Sequence, residues 1–67
     1  MEILAKRLKE LREERRVYQK EMATELTLRG YQSYETKQSV PKLKTRIALA
    51  DYFHVSIDYL VGRVDQR

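Results

Sequence analysis

Residues 3–15 read Ile3-Leu4-Ala5-Lys6-Arg7-Leu8-Lys9-Glu10-Leu11-Arg12-Glu13-Glu14-Arg15. Leu4, Leu8 and Leu11 recur at i, i+4 and i+7, with Ile3 beside them. That spacing is the apolar stripe of an amphipathic helix. Charged residues from Lys6 to Glu14 fill the other face. Lys6–Glu10 and Lys9–Glu13 are i, i+4 pairs, each adding roughly 0.3 kcal/mol. Arg15 and Arg16 suit a helix C-terminus, where the dipole favours cations.

Further helices follow outward from this one. Gln19 to Leu26 reads as a short second helix with Met22, Ala23 and Leu26 inward. Position 18, before it, is Tyr, a poor N-cap; Tyr18 is expected to staple the first two helices. Thr27-Leu28-Arg29-Gly30 reads as a turn. Tyr31 to Thr36 reads as a third helix with Tyr31 and Tyr34 inward, and Gln32 and Ser33 outward. Pro41 forbids helix immediately before it. A fourth helix is expected from Lys42 or Leu43 to Tyr52, with Leu43, Ile47 and Ala50 as its apolar stripe. Ser56 caps a fifth, short helix carrying Ile57, Leu60 and Val61, and Gly62 ends it. The expected fold is all-α, a compact set of five helices.

Composition agrees. The chain has 67 residues, two Gly, one Pro and 36% charged residues. Its length suits one domain, residues 1–67, with a core at 3–62 and a short tail at 63–67. So small a domain buries only about 60% of its unfolded surface, so stability is expected to be marginal. With no Cys and one His, disulfides, thiolate metal sites and a His cluster are excluded. No cofactor is expected. There is no apolar run of membrane-span length and no signal-peptide pattern at the start, so the cytoplasm is the expected compartment.

Net charge is +4, and it is localised. Residues 1–28 are net +1. Residues 29–46 carry Arg29, Lys37, Lys42, Lys44 and Arg46 against Glu35 alone, net +4. Residues 47–67 carry Arg63 and Arg67 against Asp51, Asp58 and Asp65, net −1. A basic middle on a near-neutral body suits an anionic partner, most often nucleic acid, or else a solvated face. Asp51 and Asp58 are too far apart for paired acid–base work, and there is no Ser–His–Asp or phosphate-loop pattern. No residue supports an enzyme.

Taken together, these segments resemble the lambda-repressor-like helix-turn-helix domain of the Xre or Cro type. Arg7-Leu8-Lys9-Glu10-Leu11-Arg12-Glu13-Glu14 resembles its opening helix. Gln19, Met22, Ala23 and Leu26 match its Gln-x-x-Leu-Ala-x-x-Leu second helix. Tyr31-Gln32-Ser33-Tyr34-Glu35 resembles the end of its recognition helix, and Glu35 to Pro41 matches its Glu-x-Gly-x-x-x-Pro loop without the Gly. Ala48 to Gly62 is very like its closing segment. The resemblance spans residues 5–62. There is one departure. The family usually has two more residues between the second helix and Glu35, and the matches place the gap between Leu28 and Tyr31. A short, shifted or irregular recognition helix is therefore expected. Thr27 and Lys37 also stand where the family has Gly.

The resemblance implies a DNA-binding regulator without a membrane partner. Its second helix would lie on the phosphate backbone and its third in the major groove, two copies spacing their helices about one DNA turn apart. Gln19 would bond a phosphate, with Lys20 beside it. Arg29 would read guanine or contact phosphate, and Gln32 and Ser33 would read bases or face solvent. Thr36, Lys37, Gln38 and Ser39 would follow the backbone, extended by Lys42. Arg12 and Glu35 would form a structural ion pair. A homodimer contact is expected around Phe53, Val55, Ile57, Tyr59 and Val61, with Tyr59 or Val61 exposed. The implied function is an operon regulator of repressor type, binding an inverted repeat as a dimer. The rival is a protein-interaction module, anti-repressor partner or antitoxin with weakened base reading.

Overall fold

The computed structural model describes residues 2–24 and 27–67, without the side chains of Ala23 and Thr24. Four α-helices and one 3-10 helix follow in order: α1 (Glu2–Glu14), the 3-10 segment (Gln19–Thr24), α2 (Leu28–Glu35), α3 (Leu43–Phe53) and α4 (Ile57–Leu60). The second of the five expected helices is thus a 3-10 helix. Among the described residues no helix is long and apolar enough to cross a membrane.

The stripe on α1 does what its spacing dictates. Leu4, Ala5, Leu8 and Leu11 are buried. Each leucine there contributes about 2 kcal/mol of burial. Met22, Tyr31, Leu49, Ala50, Phe53, Tyr59 and Leu60 complete the core, with Tyr34 packed against it. Helix α1 packs on α2 and α4, and α2 on the 3-10 segment. Ala23 and Leu26, expected inward, fall outside the described side chains. Tyr18 is 70% exposed and staples nothing.

Helix α2 starts three residues earlier than expected. Thr27 is its N-cap, in extended backbone, and its hydroxyl accepts the Gly30 N–H at 3.0 Å. A Cβ on residue 30 would lie 2.9 Å from that hydroxyl oxygen, so the cap and the glycine belong together. Thr27 to Gly30 is therefore a cap and first turn of helix. Six residues of 3-10 helix rise about 12 Å, where an α-helix rises about 9 Å, so the preceding element covers more distance per residue.

Helix α3 buries a different face from the expected one. Leu49, Ala50 and Phe53 are buried, while Leu43 and Ile47 are 57% and 42% exposed. Arg46 falls on the buried side at i−3, i−4 and i−7 from those three. It is half-buried, and its Nε has no hydrogen-bond partner among the described residues.

Two residues of the expected dimer contact, Phe53 and Tyr59, are buried within the single chain, Tyr59 against the expectation that it is exposed. They are core residues, 3% and 8% exposed. Phe53 meets the Tyr52 ring edge-on at 5.0 Å and lies under the Arg15 guanidinium. The Tyr59 ring lies under the guanidinium groups of both Arg7 and Arg67. Val55 and Ile57 are half-buried against the core, and Val61 is half-buried. Residues 63–67 fold back on α1. Arg7 donates to the carbonyls of Tyr59 and Val64 and pairs with Asp65, while Arg67 pairs with Glu14.

All four α-helices close alike. A left-handed residue ends each one: Arg16 (φ 56°), Lys37 (φ 69°), His54 (φ 55°) and Gly62 (φ 88°). The following N–H reaches back five residues in each case, Val17 to Arg12, Gln38 to Ser33, Val55 to Ala50 and Arg63 to Asp58. This is the Schellman closure. Only α4 uses glycine. There a Cβ would lie 2.7 Å from Ile3 Cγ2, so Gly62 serves both the turn and the seat of Ile3.

Arg46→Leu places an apolar side chain on the buried face and removes an unpartnered donor. It is expected to stabilise the fold by about 1 kcal/mol, raising Tm by roughly 4–8 °C. A thermal melt that moves down instead would contradict this assignment of the α3 face.

Candidate nucleic-acid interface

The site is built on one buried ion pair. Arg12 leaves the last turn of α1 and Glu35 the last turn of α2. Arg12 Nε donates to Glu35 Oε2 at 2.8 Å, and its second terminal nitrogen to Oε1 at 3.3 Å. The side chains are 14% and 3% exposed. Arg12 also donates to the Val17 carbonyl at 3.0 Å, which ties the end of α1 to the same point. Burial pushes the Glu35 carboxyl up, but hydrogen bonds from Arg12 and Gln19 outweigh it and hold the group below its ordinary value. The hydrogen bond to Glu35 holds Arg12 above its own. The Tyr31 hydroxyl is buried nearby without hydrogen-bond geometry to any described residue. Burial, then the Glu35 charge, push it well above the tyrosine range.

From this pair a chain of side chains runs to the surface. Gln19 begins the 3-10 segment and is half-buried. Its Nε2 donates to Glu35 Oε1 at 3.0 Å, and its Oε1 accepts from Gln32 Nε2 at 3.0 Å. The first bond fixes which end of the Gln19 amide is the acceptor. The second then fixes Gln32, which is exposed on α2. An open cleft of about 440 Å³ flanks this chain, lined by Lys9, Arg12, Tyr18, Gln19, Glu35 and Thr36.

Other expected residues fall around it. Arg29 is exposed in the first turn of α2 and makes no ion pair with a described residue. Lys20 is exposed, with its ammonium 5.9 Å from the Tyr18 ring centre. Ser33 is half-buried and already engaged: its hydroxyl donates to the Gly30 carbonyl at 2.6 Å and lies 2.5 Å from the Ser39 hydroxyl. Expected as an outward reader, Ser33 instead clasps the following loop to the helix. Thr36 ends α2, its hydroxyl donating to the Gln32 carbonyl at 3.0 Å. Lys37 and Gln38 are exposed in the closing turn. Lys42 is the exposed N-cap of α3 and makes no side-chain cap bond. It lies on the far side of Pro41 from the clasp.

Sequence reasoning missed Thr27 as a cap and Gln19 as a link. A Thr two residues before an exposed Arg, with Gly at the third helical position, was a readable cap signal. The Gln19–Gln32 bond joins two elements thirteen residues apart, and no local pattern announces it.

An exposed helix, capped at its outer end, held by a short preceding element and fixed at its root, is the geometry of a helix-turn-helix DNA-binding domain. Residues 8–60 match the helix-turn-helix family. The chain belongs to that family, in its lambda-repressor-like (Xre) branch of DNA-binding regulatory domains. No curated protein and no solved structure matched the chain.

Glu35→Ala would leave the Arg12 guanidinium buried without its carboxylate, a loss of about 3–5 kcal/mol. In a domain this small the melting transition and DNA binding are expected to vanish together. A variant that kept its Tm and lost DNA binding would make Glu35 a reading residue. The pair also sets an acid dependence. Because the folded carboxyl sits below its unfolded value, its contribution is complete above the ordinary glutamate range. It is lost as pH falls through the folded value. The urea midpoint of the unaltered chain should therefore fall with acidification, and that of Glu35→Gln, if folded, should fall less steeply.

Proposed function

We propose that the chain is a sequence-specific transcriptional regulator, of repressor type, that binds an inverted-repeat operator as a homodimer in the cytoplasm. The observation that carries this is the chain Arg12–Glu35–Gln19–Gln32. It presents an oriented amide on the outer face of α2, beside exposed Arg29. A Gln held this way pairs with adenine, and an Arg in the first helical turn pairs with guanine. Gln19 and Lys20, at the start of the preceding element, would meet the phosphate backbone, as would Thr36, Lys37, Gln38 and Ser39 after α2 and Lys42 beyond them. Phosphate contacts of this kind set register, while base contacts carry sequence. Ser33 contributes by holding the loop rather than by reading. A regular α2 argues against the alternative of a protein-interaction module with weakened base reading.

Phe53 and Tyr59 are buried within the single chain, so the proposed homodimer contact draws on other residues. Leu43 and Ile47, the exposed apolar residues of α3, and half-buried Val61 supply apolar surface in their place.

Selection from random-sequence duplex at fixed salt tests the reading. The expected result is an inverted repeat with half-sites about one turn apart. Gln32→Ala and Arg29→Ala should each relax one position, at about 1–3 kcal/mol. With about six phosphate contacts, log affinity should fall against log salt with a slope near −5. Retention without any enriched sequence, or a slope near zero, would overturn the proposal.

A further inference from the structure

Lys37 sits where the backbone is least suited to it. It follows α2 with φ 69°, in the left-handed region where a Cβ is strained and glycine is not. The equivalent residue of α4 is Gly62. The turn around Lys37 leaves it no choice. Gln38 and Ser39 both donate their N–H groups to the Ser33 carbonyl, at 2.9 and 3.2 Å, and the Ser33 and Ser39 hydroxyls meet at 2.5 Å. The conformation is therefore imposed on residue 37 from both sides. Its side chain gains little within the fold. The Lys37 side chain is 57% exposed, and its one ion pair among the described residues is a 3.8 Å approach to the Glu2 side chain, itself 85% exposed. Contacts of that kind contribute little to stability.

Strain without a structural return points to a task outside the fold. Resting on the DNA-binding reading above, we infer that Lys37 is a strained positioning residue. The closing turn of α2 holds its ammonium against one backbone phosphate, and Glu2 is its resting partner in the free protein. Stability and DNA affinity then move in opposite directions at this one position. Replacing the lysine with glycine relieves the turn and removes the contact. Replacing it with another side chain removes the contact and keeps the strain. Removing the Glu2 charge frees the ammonium before DNA arrives.

The test uses the full chain and random-sequence duplex at about 0.1 M salt, because a phosphate contact weakens binding alike across sequences. Lys37→Gly is expected to raise Tm by about 4 °C, weaken binding roughly fivefold to tenfold, and reduce the salt slope by about 1. Lys37→Gln should weaken binding as much without raising Tm, and Lys37→Arg should restore both affinity and slope. Glu2→Gln should tighten binding about twofold. His54→Gly relieves the same backbone strain at the end of α3 and serves as the control, with a higher Tm and unchanged affinity and slope. Lys37→Gly that binds like the unaltered chain with the same slope overturns the phosphate contact, and Lys37→Gly that melts no higher overturns the strain. An unaltered chain that binds no duplex at all overturns the DNA-binding reading itself.

Discussion

The Arg12–Glu35 ion pair is the constraint on which the rest of the structure depends. It joins the end of α1 to the end of α2 across 23 residues of sequence, with both side chains largely out of water. Removing two charges from water is expensive, and such a pair adds little net stability over an apolar contact. What it supplies is direction. Arg12 also holds the Val17 carbonyl, and Glu35 also holds the Gln19 amide. One buried carboxylate thereby fixes the exit of α1, the start of the 3-10 segment and the root of α2. Gln32 inherits its orientation from that arrangement.

Those parts of the fold that rest on local chemistry are legible in the sequence. The α1 stripe, the Ser56 cap and the Gly62 stop each follow from neighbours within one or two turns. What resists reading has a physical cause in each case. Helix α3 carries apolar residues on several sides, so its periodicity allows two buried faces. Leu43–Ile47–Ala50 looks as good as Leu49–Ala50–Phe53. Tyr59 reads as surface because the cations that cover it, Arg7 and Arg67, come from the two ends of the chain. The candidate site divides the same way. Its residues are named by their likeness to a family, whereas their roles come from contacts between elements. Ser33 is the clearest example, outward by helical spacing and yet bonded to the loop that follows.

The domain carries several locally unfavourable features for its size. Three of its four helix closures use a side chain in left-handed backbone. Arg46 places a guanidinium stem on the buried face of α3, and the Tyr31 hydroxyl is buried without a partner among the described residues. Strain at such positions is sustained only where the surroundings over-determine the conformation. The Schellman hydrogen bonds and the Ser33–Ser39 clasp do that here.

In the proposed DNA-binding reading, α2 and the turn after it are the surface that meets DNA, held in place by the buried pair beneath. Amide chemical-shift mapping with isotope-labelled protein and duplex DNA tests it most directly. The largest shifts should fall on Thr27–Ser39 and around Gln19, with α4 and the 63–67 segment little changed. Shifts centred on α3 and α4, with Thr27–Ser39 unmoved, would contradict it.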